Sequence, residues 1–459
     1  FLEEHINAIL PSLMDRKSSC DALVGCVASR EVVQLTQLGN LDMAKPSTGV
    51  MGLLKKLRGN NNNKASGGEK QMALLRRLPK ILKFLPGKAQ DLRAYFLTMQ
   101  YWLGGSDENM ESMVRFLINK YGKIESESLV EASEPVQYAD TGLYHPELKE
   151  RITTDLKMLP RPQEVKGVVG LLLMRSYILS GDTKHYDAVI RALEEKGFFV
   201  IPAFAAGLDG RPAIESYFIE KDITQIDCLL SLTGFSLVGG PAYNDSSAAE
   251  DVLRKLDVNY IAAHALEFQS IEQWKSNEGG LGPVETTMLV ALPEIDGATS
   301  PYVFGGRAGV ENGNENREMV PCFERINRLA DKVSKVIKLK REERKDKKIA
   351  VVIYGFPPNS GAVGTAAHLS VFESLYNTLD KMGDAGYTIN KPNSVDDLRN
   401  VILEGNSKKY GQAANVFCKV SAEDIISNEK YLDEIESVWG PAPGKHQADG
   451  SGVYILGQE

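Results

Sequence analysis

Residues 349–375 read IAVVIYGFPPNSGAVGTAAHLSVFESL. The opening run, Ile349 to Ile353, is apolar and mostly β-branched, a composition that predicts a strand ending near Tyr354. Pro357, Pro358, Asn359, Gly361 and Gly364 then break regular structure. An amphipathic pattern over 369–382 predicts a helix. Strand, loop and helix in that order build parallel, doubly wound sheets. The fold class that follows is α/β, multi-domain, with parallel doubly wound sheets and a helical segment.

The same grammar recurs from Lys166. Residues 168–174, VVGLLLM, show no polar alternation, so this strand is expected to be buried on both faces. A helix over 185–196 ends at Gly197. A strand at 198–204, a short helix at 213–220, a strand at 226–232 and a helix at 251–256 follow. Extended segments are expected at 259–262 and 287–292. A long helix over 322–340 runs into the charged LKREERKDKK. Beyond 369–382, helix is expected at 395–404 and helical or mixed structure over 421–439. A strand at 452–456 has nothing after it to pack on.

At the other end, residues 1–16 read as helix, 22–28 as strand and 30–41 as helix. GNNNNKASGG at 59–68 reads as a flexible linker. From 69 to 121 the pattern is helical, with Leu74, Leu75, Leu78, Ile81, Leu82 and Leu85 at three- and four-residue spacings. Lys70, Arg76, Arg77, Lys80 and Lys83 lie among them, as a solvated face or as a stripe for an acidic partner. The expected plan is a partial α/β domain (1–58), a linker (59–68), a helical segment (69–150) and an α/β domain (151–320). A helix and charged linker (321–347) and the start of a further, incomplete α/β domain (348–459) complete it.

Composition sets outer limits. The 459 residues suit two to four domains, and 43% hydrophobic with 25% charged residues is ordinary for a globular protein. A net charge of −8 argues against a general nucleic-acid binder. No apolar run approaches the ~20 residues of a membrane span. Cys20, Cys26, Cys228, Cys322 and Cys418 show neither CxxC spacing nor a disulfide framework, which suits buried thiols in a reducing compartment. The chain starts at Phe1 within a helical pattern and shows no signal peptide. An internal piece of a longer chain is the expectation.

The sharpest chemical candidate is the GxxGT loop at 361–365. Backbone N–H groups and a helix N-terminus after a buried strand suit a carboxylate or phosphate. Asn359, Gly361, Gly364, Thr365 and His368 are the candidate binding residues, with Thr365 expected as helix cap and His368 in the first turn. The same loop also reads as a structural elbow. It is not a P-loop, since GxxxxGK[ST] occurs nowhere, so ATP hydrolysis by this chain is not expected. No HExxH or paired histidine spacing appears, and no metal site is expected. Two further glycine-rich loops stand at 231–245 and 292–307. The first sits where open α/β sheets bind ligands. The second carries Glu294, Asp296 and Arg307, a set for a cation, an anionic group or a structural ion pair. No GxSxG elbow is present.

The blocks YFLTMQYWLGGSDEN (95–109), ADTGLYHP (139–146), SGDTKHYDAVIRALEEKG (180–197), SLTGFSLVGGPA (231–242), VALPEIDGATSPYVFGGR (290–307), YGFPPNSGAVGTAAHLSVFESL (354–375) and WGPAPG (439–444) together resemble one family. It is the large-subunit family of magnesium chelatase and cobaltochelatase, and the likeness is to the amino-terminal part of the magnesium enzyme's subunit. The WGPAPGKHQADG ending is closer to the bacteriochlorophyll branch. The resemblance implies a porphyrin-binding subunit that inserts Mg²⁺ into protoporphyrin IX, with two AAA+ type subunits spending ATP. It also implies a role in (bacterio)chlorophyll biosynthesis, in a bacterial cytoplasm or, for a plant or alga, a chloroplast. The family's HGTHGSLE-type stretch, with its expected catalytic Glu, is missing here and expected beyond Glu459, so this piece alone is expected to be inactive. A cobaltochelatase subunit and a non-catalytic tetrapyrrole-binding sensor or scaffold are the alternatives.

Overall fold

The computed structural model describes residues 2–17, 19–26, 30–44, 78–84, 86–122, 131–239, 244–311, 314–315, 318–353, 363–364, 366, 368–403, 416–444 and 451–456. The chain forms two compact units, Phe1–Ile337 and Lys338–Glu459.

The first unit opens with the helix Leu2–Lys17. The strand expected at 22–28 and the helix expected at 30–41 are found only as short pieces. Two-residue strands Ala22–Leu23, Gln37–Leu38 and Leu41–Asp42 form an antiparallel sheet, and the intervening helix is only Arg30–Gln34. The reason is a contact from far along the chain. Gly39 takes a positive φ of 54°, and the Asn40 N–H donates to the buried Asp91 carboxylate at 2.9 Å, fixing a tight turn where a helix would have continued. Helices α1 (Lys88–Gly104) and α2 (Asp107–Tyr121) follow. Gly105 ends α1 in the left-handed region, and the Ser106 side chain caps α2 by accepting from Asn109 N–H.

The main sheet has eight strands. In chain order they are β1 (Thr141–Tyr144), β2 (Ile152–Thr153), β3 (Gly167–Met174), β4 (Phe198–Ala205), β5 (Cys228–Ser231), β6 (Asn259–Ser270), β7 (Thr299–Arg307) and β8 (Met319–Pro321). Across the sheet the order is β8-β7-β6-β5-β3-β4-β1-β2. The block β7-β6-β5-β3-β4 is parallel, β8 and β1 join it antiparallel, and β2 pairs antiparallel with β1 at the outer edge. Sequence anticipated the parallel block; its antiparallel edges emerge only in the structure.

Both faces of the block are covered. On one lie α3 (Lys184–Glu195) and α6 (Phe323–Arg341), and on the other α4 (Arg211–Tyr217) and α5 (Ser246–Leu256). Helix α6 buries Ile326, Leu329, Ala330, Val333 and Ile337, a single stripe at helical spacing. Strand β4 is buried at every position, which explains its unbroken apolar run. Each such side chain contributes roughly 1.5–3 kcal/mol by leaving water.

Residues 287–292, expected as extended, are helical. Pro283–Glu285, a π-helical turn Thr286–Ala291 and Leu292–Ile295 form one strap across 283–295. The β-branched residues suggested strand, but Pro283 and Pro293 each stand at a helical N-terminal position and favour helix there. The expected loop at 292–307 is therefore the end of this strap followed by β7.

In the second unit, α7 (Val371–Asp384), α8 (Val395–Leu403), α9 (Ala422–Asn428) and α10 (Leu432–Trp439) are helical. Strands β9 (Val416–Ser421) and β10 (Gly452–Leu456) pair antiparallel, so the 452–456 strand does find a partner, earlier in the chain. The strand expected from Ile349 is not formed over 349–353, and Ile349, Val351 and Val352 are exposed. Strand propensity without a described neighbour to pair with gives no ladder.

Candidate functional site

The topology singles out one place. From β3 the chain moves outward to β4, then returns past β3 to β5 and continues the other way. The carboxyl ends of β3 and β5 flank this switch point, where open α/β sheets place ligands. The described part of the loop at 231–245, residues 231–239 and 244–245, lies there, as its sequence suggested.

In this protein the switch point is closed by backbone. Asp209 and Val238 form an antiparallel bridge. Gly210 N–H donates to the Leu237 carbonyl at 2.9 Å, and Gly239 N–H to that of Leu208 at 3.1 Å. The cavity left beneath, bounded by Met174, Gly207, Thr233 and Phe235, is about 20 Å³, room for one water.

A buried carboxylate holds the closure. Asp296 accepts from Ser236 Oγ (2.7 Å), Leu237 N–H (2.7 Å) and Asn244 Nδ2 (3.2 Å). The set Glu294, Asp296 and Arg307 is thus not brought together: Glu294 is exposed, Asp296 is buried, and Arg307 pairs with Glu267 at 3.4 Å. Glu285, also buried, holds the other end of the strap by accepting from Phe268 N–H at 3.3 Å and from the Gln269 side chain. Between these anchors, Leu289 packs where a Cβ on Gly234 would meet it at 3.1 Å, and His264 Cβ lies 3.6 Å from the same point. Gly234 has φ 74°, so both space and backbone demand glycine.

Two histidines lie buried along this edge. His185, in the first turn of α3, sits against Tyr186 (ring centroids 3.9 Å apart), Tyr177 (5.2 Å) and Phe304 (5.8 Å). Burial, then the Arg307 charge, pull its pKa down to about 3. His264 lies in β6, and burial, then the Arg325 charge, pull it down to about 4. No ring nitrogen of either has a hydrogen-bond partner. His145 differs. Its Nδ1 accepts from Glu147 N–H (3.2 Å), and its Nε2 faces Glu194 at 3.0 Å, a satisfied structural role. At the open edge, the Tyr177 hydroxyl donates to Glu267, and burial with that bond raises the phenol. Sequence reasoning passed over His185 and His264 for lack of motif spacing. The signal available was an imidazole inside the apolar run YIAAHAL (260–266).

Of the residues named in the 349–375 joint, Asn359, Gly361 and Thr365 lie outside the described residues. Gly364 has φ 73° and His368 φ 62°, and His368 is exposed. Helix α7 starts at Val371 with Ser370 as its N-cap residue, so His368 precedes its first turn. The described residues hold no cluster of three or more His, Cys, Asp or Glu able to bind a metal ion. Among them no helix is long and apolar enough to cross a membrane.

Fold and site together define the class: a doubly wound α/β body with a closed switch point, carrying a second unit rich in exposed apolar residues. The chain belongs to the CobN/Magnesium Chelatase family, whose model matches residues 99–459. Residues 1–96 match a model described as a domain of unknown function, DUF3479. The chain is 56% identical over its whole length to the magnesium-chelatase H subunit of Cereibacter sphaeroides, spanning 40% of that protein. It is 33% identical to the chloroplastic magnesium-chelatase ChlH protein of Oryza sativa, spanning 34% of it. Against the aerobic cobaltochelatase CobN protein of Sinorhizobium, identity is 23% over 62% of this chain and 23% of the other. The fold resembles the catalytic subunit of cobaltochelatase from Mycobacterium tuberculosis. The TM-score is 0.57 at 20% identity, covering 79% of this chain and 30% of that one.

Proposed function

We propose that this chain is a porphyrin-handling portion of a magnesium chelatase large subunit. In the assembled enzyme that subunit inserts Mg²⁺, as substrate, into protoporphyrin IX for (bacterio)chlorophyll biosynthesis, while two AAA+ type partners use ATP. The observation that carries this reading is the gradient of identity, 56% to a magnesium-chelatase protein against 23% to a cobaltochelatase protein. The bacterial relatives favour a cytoplasmic setting, and a plant or algal source would favour the chloroplast. Mg²⁺ sheds its water reluctantly, and insertion must remove two pyrrole protons, so bases and carboxylates are needed close to the ring. We place those catalytic groups outside the 459 residues.

The loop bearing Asn359, Gly361, Gly364, Thr365 and His368 is read as part of the tetrapyrrole cleft wall. The left-handed backbone at Gly364 and His368 supports this, because it turns peptide groups out of regular hydrogen bonding. Two measurements test the proposal. The full-length subunit with its partners should turn over Mg²⁺ and protoporphyrin IX, and preference for Co²⁺ and a corrin precursor would overturn the assignment. In that subunit, Gly364→Val and Asn359→Ala should weaken porphyrin binding more than they lower Tm. Unchanged affinity in both folded variants would leave the loop a structural elbow.

A further inference from the structure

Three side chains meet at the carboxyl edge of the parallel block, on the face that carries α3. Tyr177 stands in the helical turn Arg175–Leu179 directly after β3, Glu267 near the end of β6, and Arg307 at the end of β7. Tyr177 Oη donates to one oxygen of the Glu267 carboxylate, and Arg307 Nη2 donates to the other at 3.4 Å. Because β5 lies between β3 and β6, the Tyr177 bond crosses the end of β5. A Cβ on Gly305 would lie 3.3 Å from His185 Cβ, and Gly305 pairs with Ala265. Arg307 and Glu267, each two residues further along, therefore alternate onto this same face. The Tyr177 ring stands edge-on to the His185 ring at 5.2 Å and to the Tyr186 ring at 6.0 Å. His185 is fully buried, and neither of its ring nitrogens has a partner.

We propose that Tyr177 and Arg307 form a carboxylate-binding site whose present occupant, Glu267, is an internal stand-in that a ligand carboxylate displaces. Two donors already aimed at the two oxygens of one carboxylate define the ligand class. Glu267 is a weakly held occupant. Its side chain is 41% exposed and its contact with Arg307 is long and single, a kind of pair that adds little to stability in water. The other carboxylates near Arg307 are committed elsewhere: Asp182 accepts from Met319 N–H at 3.0 Å, and Glu318 pairs with Lys184 at 2.6 Å. A monocarboxylate replaces Glu267 charge for charge, whereas a dianionic phosphate would bring a second negative charge beside Asp182 and Glu318. Phe268, next along β6 and 56% exposed, offers apolar surface at the same edge for the body of the ligand.

His185 supplies a reason for the exchange. With the Tyr177 ring closed over it, a buried imidazole is left without a partner for either nitrogen, which costs free energy. A tilt of that ring, with its hydroxyl still on a carboxylate, lets a water or a ligand oxygen reach the imidazole. Gly181, at φ 73°, follows the turn that carries Tyr177 and gives it backbone freedom at one end. Replacing Glu267 by a ligand thus relieves a cost of the closed form. Resting on the function proposed above, the carboxylate is a propionate of the tetrapyrrole.

The test separates the site from that function. In the 459-residue chain labelled with ¹⁵N-histidine, the His185 signal, assigned by His185→Gln, reports the Tyr177 ring beside it. Sodium propionate, titrated against sodium chloride at constant ionic strength, should shift that signal saturably. Glu267→Ala removes the internal competitor and should tighten propionate about tenfold. Adding Arg307→Gln to Glu267→Ala should abolish the response, and adding Tyr177→Phe should weaken it about fivefold, the loss of one hydrogen bond. Glu250→Ala, which takes a carboxylate from the equally exposed Arg254 on α5, should create no such response. A structural ion pair predicts none of this. No saturable shift in Glu267→Ala, or equal affinity with and without Arg307→Gln in chains whose His145 signal is unchanged, overturns the site. In the full-length subunit, Arg307→Gln should weaken a dicarboxylic porphyrin but not its dimethyl ester, and equal losses overturn the propionate assignment. A propionate response in a subunit that binds no porphyrin would sink the proposed function and leave the site standing.

Discussion

The two units handle apolar surface in opposite ways. In Phe1–Ile337, side chains as large as Tyr144, Tyr186, Phe204, Phe218 and Phe304 are under 2% exposed. Among the described residues of Lys338–Glu459, Leu398 and Val416 are the buried hydrophobics, while Val352, Val438 and Trp439 are 72%, 73% and 84% exposed. The first unit has strands covered on both faces and helices whose apolar stripes meet them. The second has amphipathic helices of the same kind with little described sheet beneath. A periodic sequence therefore promises a helix, but it does not promise that the helix's apolar face is covered by the same unit.

The largest effect that can break this comparison is a cavity in the first unit. Phe204 is fully buried in β4, with its ring tip 2.5 Å from where a Cβ on Gly142 would stand. Phe204→Ala should cost about 3–5 kcal/mol in urea unfolding, the usual range for a buried Phe. A loss below about 1 kcal/mol would mean that the first unit is no better packed than the second.

A second, smaller effect is confined to the first unit and depends on pH. His185 and His264 have folded pKa values near 3 and 4, against an ordinary value of 6.5. Between those limits the unfolded chain binds protons that the folded one refuses. Their contribution is intact above pH 6.5 and is lost as pH falls towards 4, by up to roughly 1.4 kcal/mol per pH unit for each histidine. The Tm of the first unit's transition should drop over that window, and His185→Leu should make the drop shallower. A Tm profile unchanged by the substitution would show that His185 titrates normally and is not sealed among Tyr177, Tyr186 and Phe304.

The sequence was legible where one local rule decided the outcome. Residues 168–174 and 198–204 had to be buried parallel strands, because only two covered faces tolerate such runs. The Gly197 and Ser106 signals placed helix ends closely. Reading failed where a distant group intervened. Asp91 holds the Asn40 turn from 51 residues away, and no periodicity within 30–41 contains that fact. The strap at 283–295 deceived because its β-branched residues outvoted its prolines. At the site, the glycines of 231–245 correctly marked the carboxyl edge of the sheet. That Asp296 would hold the loop shut, and that His264 would be buried with both ring nitrogens unbonded, depended on register and crossing order. Neither is written in local spacing.

The smallest expected effect tests the second unit directly. Helix α10 ends at Trp439 with Gly440 as its cap residue, and its last two side chains are among the most exposed apolar groups of the chain. Replacing Val438 and Trp439 together by Ser removes almost no buried area, so the transfer term is near zero. Helix propensity changes by only a few tenths of a kcal/mol at a terminus. In the 459-residue chain the double variant should unfold within about 0.5 kcal/mol of the parent, as surface substitutions do. It should also be more soluble, since exposed aromatic and aliphatic area drives association. If it instead lost more than about 1 kcal/mol, a scale set by real burial, α10 would be packed in solution. The contrast between a unit with its own core and one with open apolar faces would then disappear.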